Sequence, residues 1–564
     1  MIYRIYFQKF LFRYLVILLV TISTDLSAQK YAAYVTDNIY AVHFKDKENT
    51  PYSVDKPLAY LSQRSIDRRN KYSIAITKDD LPVDPVYIEK INETGAYVSA
   101  TSRWSNSVLV YASGEMINLI QKLDFVEKVV YVKPGAGKFK QYDVHPKWMN
   151  EEVFPVQGQG SKNDYEYGYA FAQIDQLNGI PVHKQGFAGE GVIIAVLDGG
   201  FQKANEVKGL AHLFESGRIV MEKNIVEPHR SIYDEDISSH GTLVLSCMGG
   251  YLAEEYVGTA PQASYALIRT EDTPTEYLIE EYFWMIGAEV ADSLGADIIN
   301  SSLGYIDFDD PLMNHKYSDM DGNTAVTSIA AKRAVDRGIF VNVSAGNSGN
   351  NSEWPWVGSP ADVPDALSLG AVKLDGEIAS FSSIGPNGTG YPKPDVVACG
   401  SGAYVILPEN TIGTAFGTSF SSPITCGLVA CIIGAAPLRT PDEILKAVQK
   451  SADRYPAHDI RYGYGIPNFG KVLNTLGIFS YENKTGSKLV YYPNPVFDVL
   501  YINNTDLLIK SIEIYDITGR LIKHETADAH QIPVTVKDIY AGFIFVKVIY
   551  DNAMSEMIKC VILK

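Results

Sequence analysis

Continuous apolar runs alternate with stretches of helical pattern through the middle of the chain, from about residue 165 to about residue 477. The predicted strands are the apolar runs 192–197, 264–268, 297–301, 339–344 and 366–372. Such runs are what a parallel sheet requires when helices cover both of its faces, because neither side of its strands then meets water. The pattern therefore predicts a doubly wound α/β domain with a mostly parallel sheet.

A smaller pattern precedes this domain, between about residues 31 and 140. Strand patterns at 34–44, 96–111 and 128–132 alternate with helical patterns at 85–93 and 115–123. The alternation predicts a small α/β module. The stretch that follows is polar, contains Gly158-Gln159-Gly160, and has the composition of a linker.

The C-terminal end of the chain changes character again. Short alternating strands are predicted at 499–502, 512–515, 531–536 and 542–549, with Asp, Asn and Gly turns between them. Alternation at this spacing is typical of a small all-β sandwich.

The first residues have the composition of an export signal. Basic residues up to Arg13 precede the apolar run 14–22, and Leu26-Ser27-Ala28 follows it. We expect a secretory signal peptide cleaved after Ala28. An uncleaved membrane anchor is the weaker alternative, because the apolar run is short for a membrane span.

Composition and charge exclude several classes of partner. The chain has 564 residues, of which 46% are hydrophobic, enough for about three or four domains with sizeable cores. Its net charge of -17 and the absence of a long Lys/Arg block argue against nucleic acid or an anionic membrane as the partner. The five cysteines lack Cys-x-x-Cys spacing and predict neither a disulfide framework nor a zinc site.

The run Gly417-Thr418-Ser419 carries the first candidate chemistry. Gly417 allows another backbone to approach closely, and an apolar stretch of helical length follows at 424–436. Ser419 would then lie at a helix N-terminus, where the dipole stabilises an anion formed during acyl transfer. A simple N-capping serine is the alternative, and partners elsewhere in the chain decide between the two.

Two further segments offer such partners. Asp198 closes the strand 192–197 and is followed by glycine, which places a carboxylate at the carboxyl end of a parallel strand, where ligands bind. His240 stands beside Gly241 at the start of the helical stretch 243–248. Read singly, Asp198 is a turn former and His240 a packing residue. The order Asp, His, Ser along the chain gives them a joint interpretation, because it is the order of the subtilisin triad.

An acyl-transfer site also needs donors for the oxyanion and an edge for the peptide. Asn347 follows the strand 339–344 and can supply a side-chain amide N–H. The segment Ser302-Leu303-Gly304 ends another strand and can pair with an extended peptide. Alone, each of these segments is ordinary turn or strand-end chemistry.

Together these segments resemble the subtilisin-like serine proteases, the subtilases, over about residues 165 to 477. The resemblance implies that Asp198 orients His240, that His240 takes the proton from Ser419, and that Ser419 attacks a peptide carbonyl to form an acyl-enzyme. It implies an oxyanion hole made by Asn347 and the Ser419 N–H. It also places the substrate-binding residues, which are Ser302, Leu303, Gly304, Ser344, Ala345 and Gly346.

The chain departs from the family pattern at two places that perform no chemistry. Leu243 stands where many members have a second histidine, and Gly199 stands where Ser or Thr follows the aspartate. Two rival interpretations remain. A sedolisin-like acid protease shares Gly-Thr-Ser but lacks the roles of His240 and Asn347, and a catalytically silent surface-binding protein could retain the fold alone.

The flanking regions carry resemblances of their own. Residues 31–140 resemble the subtilase propeptide, which acts as an intramolecular inhibitor. The tail contains Pro493-Asn494-Pro495, Thr518-Gly519-Arg520 and the closing segment 558–564, and it resembles the type A C-terminal sorting domain of the Bacteroidetes type IX secretion system. This tail implies an encounter with the type IX machinery and an enzyme that is secreted or attached to the outer-membrane surface.

The predicted organisation comprises a signal peptide (1–28), a propeptide (31–140), a linker and processing region (141–164), a subtilisin-like peptidase domain (165–477) and a sorting domain (485–564). We expect protein or peptide substrates and no required cofactor. Calcium is a weaker hypothesis, since the segment from Asp307 to Asn323 is acidic but lacks full EF-hand spacing. A solvated acidic loop is the preferred alternative there.

Overall fold

A computed structural model describes residues 36–135, 153–155, 167–482, 488–504 and 506–564. The predicted signal peptide and most of the predicted linker lie outside the described residues. The described chain forms a small α/β unit, a large α/β unit and a β unit, in that order.

The first unit is an antiparallel sheet with helices. Its strands are β1 (Asn38–Phe44), β2 (Tyr97–Ser102), β3 (Ser107–Ala112) and β4 (Val126–Lys133), and its helices are α1 (Gln63–Lys71), α2 (Pro85–Glu93) and α3 (Gly114–Ile120). The strand order is β2-β3-β1-β4. Helix α2 begins where the sequence predicts, because Asp84 accepts the Val86 N–H and Pro85 occupies the first turn.

Both faces of this small sheet are covered. Val42 and Phe44 point towards Ile91 and Ile117 of the unit's own helices. The alternate residues of β1, Ile39 and Ala41, belong instead to a core shared with the large unit. Because successive residues of a strand face opposite sides, one face of the sheet is closed by its own helices and the other by the large unit.

The large unit contains most of the secondary structure. Its strands are β5 (Val153–Pro155), β6 (Ile193–Asp198), β7 (Ile219–Asn224), β8 (Tyr251–Leu252), β9 (Tyr256–Val257), β10 (Ser264–Arg269), β11 (Ile298–Ser301), β12 (Phe340–Ser344), β13 (Leu367–Val372), β14 (Val396–Cys399), β15 (Ser401–Ile406) and β16 (Ile412–Phe416). Its helices are α4 (Phe171–Gln176), α5 (Ile180–Lys184), α6 (Ala211–Glu215), α7 (His240–Gly249), α8 (Ile279–Leu294), α9 (Val326–Asp336), α10 (Thr418–Ala435), α11 (Pro441–Ser451) and α12 (Phe469–Leu476).

Seven of these strands form one sheet in the order β14-β13-β12-β11-β6-β10-β7, and all of their pairings are parallel. Val196 of β6 packs in the core that contains residues of α7 and α10, whereas Leu197 packs in the core that contains residues of α8 and α9. The predicted doubly wound α/β fold with a mostly parallel sheet is therefore confirmed. Strands β15, β16 and β5 form a separate antiparallel sheet.

The C-terminal unit is all β, as predicted. Its strands are β17 (Phe479–Glu482), β18 (Lys488–Tyr492), β19 (Val499–Asn504), β20 (Ile509–Tyr515), β21 (Leu521–Ala529), β22 (Gln531–Thr535), β23 (Gly542–Tyr550) and β24 (Ser555–Ile562). They form two four-stranded antiparallel sheets around a common core that includes Ile512, Val534 and Val546.

Among the described residues, α10 is the one helix that is long and apolar enough to cross a membrane. In the fold, 94% of its apolar window is buried. Its apolar character is therefore that of a core helix, packed against β11, β12, β13 and β14.

Candidate active site

Ser419 lies in the first turn of the buried helix α10. Gly417, just before the helix, has φ +153°, a conformation that residues with a side chain rarely adopt. Its N–H donates to the Gly400 carbonyl at 2.7 Å, so the close backbone approach predicted for Gly417 is present. Ser419 is 1% exposed, and its N–H belongs to the turn that carries the positive end of the helix dipole.

Pro423 changes the hydrogen bonding of this first turn. Because proline has no N–H, residue 423 makes no helical bond to the Ser419 carbonyl. That carbonyl instead accepts a hydrogen bond from Ser302 Oγ at 2.8 Å, and Ser419 Oγ donates to the Ser302 carbonyl at 3.3 Å. The serine turn is thus joined directly to the segment that follows β11.

Asp198 and His240 form a buried pair at the edge of the sheet. Asp198 is the last residue of β6, His240 is the first residue of α7, and His240 Nδ1 lies 2.8 Å from Asp198 Oδ1. An ionised carboxylate only accepts hydrogen bonds, so the contact assigns the ring proton to Nδ1 and makes Nε2 the acceptor of the neutral imidazole. The Gly199 N–H donates to the same carboxylate oxygen at 2.7 Å.

Glycine allows the histidine helix to approach the end of β6. The Gly241 N–H donates to the Gly200 carbonyl at 2.9 Å, and a Cβ on Gly241 would lie 2.4 Å from that oxygen. The His240 ring lies against the ring of Phe420, with 6.0 Å between centroids. Since Phe420 is the neighbour of Ser419, the fold brings Asp198, His240 and the serine turn to one place.

The orientation of Asn347 is set by Thr418. The Asn347 Oδ1 atom accepts the Thr418 N–H at 2.8 Å and the Thr418 hydroxyl at 3.0 Å. A backbone N–H can only donate, so the amide oxygen must face α10 and the amide nitrogen must lie on the other side. Sequence reasoning did not assign this role to Thr418, although the residue stands beside Ser419 in the same motif.

The two predicted substrate-binding segments follow neighbouring strands. Ser302, Leu303 and Gly304 follow β11, whereas Ser344 ends β12 and Ala345 and Gly346 follow it. The Gly346 N–H donates to Thr418 Oγ1 at 3.1 Å. Gly304 and Gly346 are half-buried, while the other four residues are buried. Both segments therefore border the start of α10.

A buried polar network lies beneath the serine turn and was not predicted. Asn300 and Asn342 are paired in register on β11 and β12. Asn342 Nδ2 donates to Asn300 Oδ1 at 3.0 Å and to the Ser422 carbonyl at 3.0 Å. All three residues are fully buried. The signal available in the sequence was a polar Asn inside each of two apolar strands.

The acidic segment from Asp307 to Asn323 uses carboxylates for local turns. Asp321 Oδ1 accepts the N–H groups of Asn323 at 2.7 Å and Thr324 at 2.8 Å, and Asp319 Oδ2 accepts the Lys316 N–H at 2.9 Å. Within the described ranges, the group of three carboxylates whose oxygens lie close enough to share a cation is outside this segment, at Glu271, Glu276 and Glu280. These contacts favour the acidic loop over a calcium site in the segment.

Three family models match successive parts of the chain. Residues 39–153 match the peptidase S8 propeptide domain of Bacteroidota. Residues 189–465 match the subtilase family, and residues 490–564 match the secretion system C-terminal sorting domain. The three matches follow the same order as the three structural units.

Curated relatives are similar to half of the chain or more. Subtilisin E from Bacillus subtilis (strain 168) is 30% identical over 343 residues, which are 60% of this chain and 80% of that protein. Subtilisin from Bacillus pumilus is 31% identical over 300 residues, 52% of this chain and 95% of that protein. Serine protease AprX from Bacillus subtilis (strain 168) is 28% identical over 314 residues, 50% of this chain and 66% of that protein.

Proposed function

The chain belongs to the subtilase family and is the precursor of a secreted serine endopeptidase, and from this premise we propose that Asp198, His240 and Ser419 are its catalytic triad. The triad would hydrolyse peptide bonds through an acyl-enzyme on Ser419. The observation that carries the proposal is the 2.8 Å contact between His240 Nδ1 and Asp198 Oδ1 beside the serine turn.

His240 is the proposed general base. With its proton held on Nδ1 by Asp198, Nε2 is the nitrogen that accepts the Ser419 hydroxyl proton as Oγ attacks the peptide carbonyl. The buried carboxylate stabilises the imidazolium that results. His240 then returns the proton to the leaving amine, and a second cycle with water hydrolyses the acyl-enzyme.

Asn347 and the Ser419 N–H are the proposed oxyanion donors. Thr418 holds the Asn347 oxygen at 2.8 Å and 3.0 Å, which supports an amide nitrogen directed away from α10. The Ser419 N–H belongs to the first turn of the helix, where N–H groups are available to an anion. Donors fixed in advance stabilise the tetrahedral intermediate without reorganisation.

Protein or peptide substrates are proposed to bind in extended form between the two segments that follow β11 and β12. Ser302, Leu303 and Gly304 would pair with the substrate backbone, and Ser344, Ala345 and Gly346 would form the wall of the specificity pocket. Strand addition of this kind uses main-chain hydrogen bonds and therefore suits many sequences. No metal or other cofactor takes part in these steps.

We call residues 36–135 the prodomain and residues 167–478 the catalytic domain. The prodomain belongs to the propeptide family of these enzymes, and its sheet packs on α8 of the catalytic domain. We propose that it inhibits the enzyme until the chain is cut somewhere between about residues 133 and 165, a stretch that contains the processing region at 141–164. The proposed domain limits remain 31–140 for the propeptide, 165–477 for the peptidase and 485–564 for the sorting domain.

The C-terminal sorting domain directs the protein to secretion or to the cell surface. We propose that the type IX secretion machinery recognises it and that the tail is removed afterwards.

Self-processing tests the proposed chemistry in the full chain. The wild-type precursor should be cut within the processing region when it is expressed alone, whereas the Ser419→Ala precursor should stay uncut and should not hydrolyse casein. Thr425→Val is a matched control, since Thr425 lies in α10 and its hydroxyl donates to the Ser421 carbonyl of the same helix at 2.9 Å. Equal processing of wild type and Ser419→Ala would show that another protease makes the cut.

A further inference from the structure

Arg68 of the prodomain is a buried cation that is bound chiefly by the catalytic domain. It is 3% exposed. Its Nε donates to the Arg337 carbonyl at 3.1 Å, its Nη1 donates to the Ala296 carbonyl at 2.5 Å, and its Nη2 donates to the Asp292 carboxylate. The planar fork of the guanidinium therefore meets acceptors on three sides.

These acceptors come from the carboxyl ends of two helices. Asp292 is in the last turn of α8, Ala296 follows the end of α8, and Arg337 follows the end of α9. Helix carboxyl ends carry unsatisfied carbonyls and the negative end of the dipole, so they favour a cation. A guanidinium fits this geometry better than an ammonium, because its donors are held in a rigid fork.

Asp292 also forms ion pairs with two other arginines of the prodomain. Its Oδ2 lies 2.8 Å from Arg69 Nη2 and 2.6 Å from Arg103 Nη2. Asp292 is 0% exposed. One turn earlier on α8, Glu289 accepts the backbone N–H groups of Arg103 at 3.0 Å and Trp104 at 3.1 Å.

We propose that the catalytic domain carries a guanidinium-binding pocket, formed by Asp292 and the carbonyls of Ala296 and Arg337, and that Arg68 filling this pocket anchors the prodomain. Once the prodomain leaves, the pocket binds other ligands of the same class. The binding of Arg68 in the pocket does not depend on the chemistry at Ser419. The role of this anchor in keeping the enzyme inactive rests on the proposed function.

Hydrogen exchange in the uncut Ser419→Ala chain tests the anchor without any catalytic activity. The N–H groups of Arg103 and Trp104 report undocking directly, since they are bonded to Glu289 across the interface. Arg68→Lys keeps the charge but loses the fork, and it should speed their exchange at least about tenfold, because truncating a buried, hydrogen-bonded charge pair weakens an interface strongly.

Arg64→Lys is the matched control. Arg64 is on the same helix and also donates to the catalytic domain, to the Gly295 carbonyl at 3.0 Å and the Gly191 carbonyl at 2.7 Å, but its side chain is 41% exposed, so exchange should change several-fold less than in Arg68→Lys. Equal exchange in the Arg68→Lys and Arg64→Lys chains would overturn the anchor. Asp292→Asn, made from the catalytic side, should reproduce the effect of Arg68→Lys and covers the case in which that variant folds poorly.

Calorimetric titration with agmatine tests the vacated pocket. Matured enzyme freed of its prodomain should bind agmatine saturably, whereas the uncut Ser419→Ala chain should not, because Arg68 fills its pocket. Absence of binding to the matured enzyme, or equal binding to both proteins, would contradict this part of the proposal. If exchange responds as expected but no variant ever shows protease activity, the proposed function fails and the anchor stands.

Discussion

Thr418 should control catalysis through Asn347, and Thr418→Val is the change that isolates this effect. Valine has nearly the same shape but removes the hydroxyl that donates to Asn347 Oδ1 at 3.0 Å and accepts from the Gly346 N–H at 3.1 Å. The Thr418 N–H remains and still bonds the amide oxygen at 2.8 Å. Asn347 should therefore lose part of its restraint and keep the rest.

The expected size of the effect has a lower and an upper bound. One neutral hydrogen bond contributes about 1 kcal/mol, which is roughly a fivefold change in rate. Complete loss of an oxyanion donor costs about 10²–10³ in turnover. We therefore expect kcat to fall by about 5- to 100-fold, with KM within about twofold of wild type, because the restraint acts on the transition state.

A double-mutant cycle with Asn347→Ala, read from the hydrolysis of a chromogenic peptide, separates positioning from general damage. With Asn347 already truncated, Thr418→Val should cost almost nothing further, since its target is gone. Thr418→Ser keeps the hydroxyl and is the control. Additive losses in the double variant would refute the role of Thr418.

Three further predictions follow from single contacts. Gly241→Ala should lower activity and the free energy of unfolding, since the added Cβ would lie 2.4 Å from the Gly200 carbonyl oxygen. Gly114→Ala is the control, because a Cβ there would meet no neighbouring atom within 4 Å, and it should be neutral in denaturant unfolding. Burial lowers the pKa of His43 from 6.5 to about 4 while its Nε2 contacts the Tyr282 hydroxyl at 3.0 Å. Neutral His43 thus makes its full contribution to prodomain docking above pH 6.5, and this contribution, at most about 3 kcal/mol, is lost as the pH falls through about 4. The cut prodomain should therefore dissociate faster in acid, which gel filtration measures. His43→Gln should flatten this pH dependence of dissociation. Chelation by EDTA should leave the melting temperature unchanged, because Asp321 of the acidic loop already accepts local N–H groups; a clear fall that is absent from Asp321→Asn would contradict that account.

The apolar runs predicted the central strands closely, because strands buried on both faces must be apolar throughout. The run 192–197 became β6 at Ile193–Asp198, and 366–372 became β13 at Leu367–Val372. Helix α1 was missed for the opposite reason. Its sequence is almost wholly polar, and its buried face consists of arginines whose acceptors lie far away in the chain. No apolar period marks such a helix.

The residues of the candidate site likewise fall into those that the sequence predicted and those that it did not. Asp198, His240 and Ser419 were predicted as site residues from local motifs, each with its own strand end or helix start. Thr418 and Asn342 were not, since their roles depend on partners 71 and 80 residues away in the chain. Contacts of this kind become visible only when the strands are in register.

Labelling of the matured protein by a fluorophosphonate tests the central proposal most directly, because the probe phosphonylates only an activated serine. At neutral pH we expect one adduct, located by mass spectrometry on the peptide that contains Ser419. Once each variant has been cut in trans by the wild-type enzyme, the adduct should be absent from Ser419→Ala, and it should form much more slowly in His240→Ala and Asp198→Asn. No adduct on the wild-type protein, or an adduct that persists in Ser419→Ala, would contradict the assignment of Ser419 as the nucleophile.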